Sequence, residues 1–238
     1  MRLGLLGKKY IDTLHFVETI NEGETNTLVS SKNSLGGMYN IVNANLLGIT
    51  PVCYPEGETS AIILENKQKS KRTSFVESVD DRSIRTQQSI KSRHPDWIHV
   101  MYIDDIKSPH RVTEYHNNFR KFPTSIDFCT NTPRENFIPI MERCEIIFDS
   151  RERKHLYENF EVKTPIVLHD PLGCELIFNG KKTIEAKNKK LKLNVNGAGD
   201  IFAALFLREL QTYGLNQTIN RVCDLTTQKL LEMNSEKI

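Results

Sequence analysis

Asn196-Gly197-Ala198-Gly199-Asp200, running directly into Ile201-Phe202-Ala203-Ala204-Leu205-Phe206, is where this 238-residue chain prescribes chemistry most directly. Two glycines and an alanine leave backbone N–H groups unobstructed at the start of an expected helix, whose N-terminus carries partial positive charge. A phosphoryl group fits such a turn, and the carboxylate of Asp200 beside it is placed to take a proton from an attacking hydroxyl. The same residues read equally as a glycine-rich turn with an aspartate cap, an ordinary way to begin a helix.

The elements that must position this turn follow from periodicity. Arg2 to Gly7 reads as a short buried strand with Asp12 just beyond it. Gly36-Gly37 opens a helix through Leu47 that Gly48 stops. Strand-like runs recur at 61–64, 97–103, 125–129, 145–148, 165–169 and 175–178. Helical patterns fall at 84–92, 109–119, 134–143 and 151–160, with a last amphipathic helix from about Asn220 to Met233. Strands alternating with helices predict an α/β fold whose mainly parallel sheet is covered on both faces and binds ligands beyond the carboxyl ends of its strands.

Composition narrows the function classes. With 38% hydrophobic and 26% charged residues the chain is of the soluble globular kind, and a net charge of +2 is too small to imply nucleic acid. The lysines at 67, 69 and 71 with Arg72, and those from Lys181 to Lys192, read as solvated hairpin tips or guarded strand edges. Five scattered cysteines without a C-x-x-C pair read as reduced thiols of a cytoplasmic protein, and the seven histidines lack zinc-site spacing. Met1 to Gly7 is too short for a signal peptide, and no apolar run approaches the roughly 20 residues of a membrane span, so no membrane partner is expected.

Asp12, Gly36-Gly37-x-x-Asn40 and Gly197-Ala198-Gly199-Asp200, in that order and spacing, resemble the ribokinase or PfkB family of sugar and nucleoside kinases over nearly the whole chain. The resemblance implies a three-layer α/β/α sandwich in one domain, 1–238, with a small β-lid from about 13–35 and 58–76 that excludes water and sometimes pairs two subunits into a homodimer. It also implies that Asp12, Gly36, Gly37 and Asn40 bind the sugar or nucleoside, while Gly197, Ala198 and Gly199 form an anion hole and Asp200 is the base. The residue types suit those tasks. A carboxylate accepts two hydrogen bonds from vicinal hydroxyls, asparagine donates and accepts, and glycines let backbone approach a ring.

On the nucleotide side the resemblance implies ATP contacts from Gly173 and Asn196, and a magnesium site from Asp149-x-x-Glu152, where the family has Asn-x-x-Glu. Oxygen ligands suit that hard cation, although helix N-terminal charges would look the same. The family's Gly-x-x-Gly turn retains only Gly173, with Asp170 at the other position, where negative charge opposes polyphosphate. Asn194-Val195 replaces an Asp-Thr pair, which puts potassium activation in question. A βαβ-sized portion after the first helix is missing, so a shortened sheet is expected. The leading expectation is an ATP-dependent carbohydrate kinase; the alternative is a sugar- or nucleotide-binding protein on the same fold without turnover.

Overall fold

The computed structural model describes residues 1–17, 26–66, 71–76, 83, 85–106, 108–158, 162–188 and 197–235. The strands are β1 (Arg2–Val17), β2 (Leu28–Gly37), β3 (Thr50–Asn66), β4 (Lys71–Val76), β5 (Trp97–Val100), β6 (Thr124–Asp127), β7 (Ile146–Ser150), β8 (Ile166–Asp170), β9 (Gly173–Phe178) and β10 (Lys181–Lys187). They form one sheet in the order β10-β9-β8-β7-β6-β5-β1-β3-β4, with β2 also paired to β1. From β3 to β8 across this order the neighbours are parallel, while β9, β10, β2 and β4 join antiparallel.

Successive side chains on a strand face opposite sides, and here both sides are buried. Leu3 and Leu5 of β1, Ile146 and Phe148 of β7 and Val167 of β8 enter one apolar cluster, shared with α1 (Met38–Ala44), α5 (Ala198–Tyr213) and α6 (Leu215–Ser235). Leu6, Ile147, Ile166 and Leu168 enter the other, shared with α2 (Gln87–Lys91), α3 (Pro109–Phe119) and α4 (Ile138–Met141). Helices therefore cover both faces, which is the expected three-layer α/β/α arrangement.

β1 and β3 are longer than anything the sequence patterns suggest. The first half of β1 lies between β5 and β3; after a register shift between Gly7 and Lys9, its second half lies between β2 and β3. The core sheet thus continues, without a break in chain, into an extension of β2, upper β1, upper β3 and β4. Asp12 is consequently inside a strand, opposite Ser34 of β2, rather than beyond one.

Other boundaries differ for local reasons. α1 stops at Ala44, because Asn45 takes a left-handed conformation (φ 45°) and its N–H returns to Val42 O; Leu47, expected in the helix, is 88% exposed. The helix expected at 134–143 is a 3-10 turn, Arg134–Phe137, followed by α4, whose first turn carries a proline. The one expected from Arg151 is a 3-10 helix, Arg151–Tyr157, capped by Ser150. The last helix starts five residues early, at Leu215.

Among the described residues, no strand covers the outer edge of β3 from Thr50 to Pro55. Arginines do so instead: Arg93 donates to Cys53 O at 3.1 Å and Arg85 to Pro55 O at 2.9 Å. Among the described residues no helix is long and apolar enough to cross a membrane.

Candidate active site

At the carboxyl ends of the central strands, α1 and α5 meet head to head. α5 begins at Gly197, whose φ of 77° is left-handed and which carries no side-chain cap. A Cβ at Gly197 would fall 2.5 Å from Asn40 Cγ, so only glycine lets the Asn40 side chain lie against this turn. From there Asn40 Nδ2 donates to Asp200 Oδ2 at 2.7 Å. Asp200, in the third position of α5, is 3% exposed.

Gly37 precedes α1 with φ 60°, and a Cβ on Gly36 would fall 2.1 Å from Asp12 Oδ2. Asp12 therefore lies directly over the glycine pair, and it is 5% exposed. The β1–β2 register sets Tyr10 opposite Gly36 and Lys9 opposite Gly37. The Tyr10 ring packs edge-on against Tyr102, with centroids 5.4 Å apart, and its hydroxyl donates to Asp105. Tyr102 in turn donates to Asp200, 2.9 Å from Oδ1 and 3.1 Å from Oδ2. The structure thus joins Asp12, Gly36, Gly37, Asn40, Gly197 and Asp200 through one set of contacts. Ala198 and Gly199 lie in the first turn of α5, where amides have no acceptor within the helix.

Two residues without a sequence signature belong to this set. Tyr102 follows β5 in a left-handed conformation (φ 52°). Asp127 ends β6 and is 5% exposed. Burial, then the carboxylates of Asp200 and Asp149, push Asp127 well above the usual carboxylate range. Burial and Asp200 likewise push the Tyr102 phenol up. Both residues sit at strand ends, and that position was the one clue to them. A third, His169 at the end of β8, stacks on Phe202 with centroids 4.7 Å apart and abuts Gly199. Burial lowers its imidazole to about 4.

The nucleotide-side residues are placed differently. Asn196 and Asn194-Val195 lie outside the described residues. Gly173 starts β9 with φ 142°, and a Cβ there would fall 2.1 Å from Ala186 O, so the β9–β10 hairpin itself requires glycine. Asp170 holds the turn through Leu172 N at 2.7 Å, and Arg151 Nη1 stands 3.6 Å from its carboxylate and 3.7 Å from Glu185. The negative charge at 170 is therefore balanced within the fold.

Asp149 is fully buried and its oxygens are taken. Oδ2 accepts from Arg134 Nη2 at 2.8 Å and Tyr157 OH at 2.6 Å; Oδ1 accepts from Arg153 Nε at 2.5 Å and Ser150 N at 2.7 Å. Arg134, also fully buried, lies 3.6 Å from Asp104 as well. A magnesium ion held by Asp149 does not fit these contacts, and Glu152 is exposed on the following 3-10 helix. Among the described residues no trio of His, Cys, Asp or Glu is grouped for a metal.

No family model matches this sequence, and no curated protein does. Solved structures do match it along nearly its whole length. A ribokinase from Cryptococcus neoformans var. grubii, solved in complex with ADP, superposes with a TM-score of 0.69 at 12% identity, covering 100% of this chain and 99% of that one. A putative ribokinase from Agrobacterium tumefaciens gives 0.68 at 14% identity, covering 97% and 91%. The Methanocaldococcus jannaschii nucleoside kinase, an archaeal ribokinase-family member, gives 0.63 at 15% identity, covering 97% and 98%. The chain therefore has the ribokinase fold.

Proposed function

We propose that this protein transfers the γ-phosphoryl group of ATP to a hydroxyl of a sugar or nucleoside. The observation that carries this reading is the place of Asp200: a buried carboxylate in the first turn of α5, oriented by Asn40 and Tyr102 and connected through Tyr10 and the glycine pair to Asp12. In the reaction Asp12, Asn40 and backbone at Gly36-Gly37 hold the acceptor, and Asp200 takes the proton of the attacking hydroxyl. The amides of Gly197, Ala198 and Gly199 stabilise charge on the transferring group, aided by the helix dipole. The strand extension acts as a lid over the acceptor; its exposed apolar residues, among them Leu28, Val29, Ile62 and Phe75, suit pairing with a second copy.

The nucleotide contacts assigned to Gly173 and Asn196 belong to the same reading. Asp149, committed to Arg134 and Arg153, does not serve as a magnesium ligand. That commitment favours the competing reading, a sugar- or nucleotide-binding protein without turnover.

ADP release with ATP and a panel of sugars, sugar phosphates and nucleosides separates the two. Turnover that falls by about 10²- to 10⁴-fold in Asp200→Asn is the outcome expected of a lost general base. Sugar-dependent thermal stabilisation with no turnover in either protein would establish the binding reading instead.

A further inference from the structure

We propose that Tyr102 is a positioning residue for Asp200, its phenol holding the carboxylate in the orientation and charge state that proton abstraction requires. The inference rests on the transferase reading above.

The phenolic oxygen lies within hydrogen-bond distance of both Asp200 oxygens, 2.9 and 3.1 Å away, so it fixes the carboxylate plane as well as its position. The residue is built to stay there. Its backbone occupies the left-handed region (φ 52°, ψ 56°), a conformation that costs a non-glycine residue roughly 1–3 kcal/mol and persists only where surroundings impose it. Here they do: Tyr10 packs edge-on against the ring and is itself tied to Asp105, three residues further along the same turn.

Charge supplies the second argument. Asp200 and Asp127 are both buried, the Asp200 charge raises the Asp127 carboxyl, and two such groups do not both ionise readily. Asp200 receives donors from Tyr102 and Asn40, whereas no hydrogen bond reaches the Asp127 carboxyl among the described residues. Donors favour the charged form, so the asymmetry assigns the proton to Asp127 and the base to Asp200. Among the described residues, the ionisable groups around them include Cys129 and Tyr10 with Asp105, beside Tyr102, and Asp149, Arg153 and Asp104, beside Asp127; His169 lies across Gly199 from Asp200.

The test is the pH profile of kcat/KM for the wild type and Tyr102→Phe, with thermal midpoints recorded alongside. Loss of a donor makes the Asp200 carboxylate more basic, so the acidic limb is expected to move up by about one pH unit, as for one hydrogen bond to a charged group. 3-Fluorotyrosine at position 102, a stronger donor of nearly the same shape, is expected to move the limb the other way and serves if the phenylalanine variant does not fold. Turnover that changes equally at every pH, with the limb unmoved in both proteins, means that Tyr102 is only structural and overturns the inference while the kinase reading stands. No turnover in the wild type with any acceptor removes that reading, and the inference with it.

Discussion

Asp149 and Asp200 are both buried aspartates near strand ends, and their neighbours give them opposite tasks. Asp149 meets two guanidinium groups and is neutralised as an ion pair; Asp200 meets two neutral donors and keeps its charge available. The motif around Asp200 was legible because glycines at 36, 37 and 197 are required by close approach to Asp12, Tyr10 and Asn40, and that requirement leaves a spacing in the sequence. The fate of Asp149 was not, because Arg134 lies 15 residues away and only the parallel pairing of β6 with β7 brings its segment alongside. Truncating Arg134 leaves Asp149 with Arg153 alone and takes the paired cation from the buried Asp104. Arg134→Met is therefore expected to lower the unfolding free energy by about 3–5 kcal/mol in urea denaturation, and a loss under 1 kcal/mol would show that the pair is dispensable. Gly197→Ala has a different signature. Its Cβ would collide with Asn40 and its φ is left-handed, so Asn40 must leave Asp200. The expected result is at least a tenfold loss of turnover, as when a positioning contact is broken, with a thermal midpoint lowered by only a few degrees.

At the scale of elements, the alternation of apolar residues revealed the central strands because both faces of a parallel sheet are buried. Helix ends were misread where a single residue decides them, as Asn45 does for α1 by turning left-handed without being glycine. The extension was only partly readable, since β2 is exposed along most of its length and offers no inward pattern. Among the described residues the edge of β3 from Thr50 to Pro55 is uncovered by any strand. An open edge is a template for pairing with another chain, and Pro51 and Pro55, which donate no N–H, blunt it together with Arg85 and Arg93. An Arg85→Ala, Arg93→Ala double variant exposes the carbonyls of Cys53 and Pro55. It should form larger species than the wild type as concentration rises in light scattering; identical scattering for the two would mean the prolines alone protect the edge.

For the molecule as a whole, His99, His169 and Asp127 are among the buried groups that shape how stability responds to acid. Burial lowers His99 to about 3 and His169 to about 4, from an ordinary 6.5. Between 6.5 and about 4 the unfolded chain therefore binds two protons that the folded protein refuses, and stability falls as pH falls. Asp127 works in the opposite sense. Its carboxyl is raised well above the ordinary 3.8, so the folded protein keeps a proton that the unfolded chain has released, and its contribution grows as pH falls. Each of these two histidines opposes folding by about 1.4 kcal/mol per pH unit over that window, and Asp127 offsets part of the loss. Urea denaturation between about pH 6 and about pH 4.5 reads the slope directly. His99→Gln removes one of the refused protons and is expected to flatten the slope, whereas Asp127→Asn removes the opposing group and is expected to steepen it. Because the two substitutions lie on neighbouring strands of one core and move the slope in opposite directions, general loosening of the fold cannot imitate the pair; slopes that change in the same direction would refute the assignment of protons to these groups.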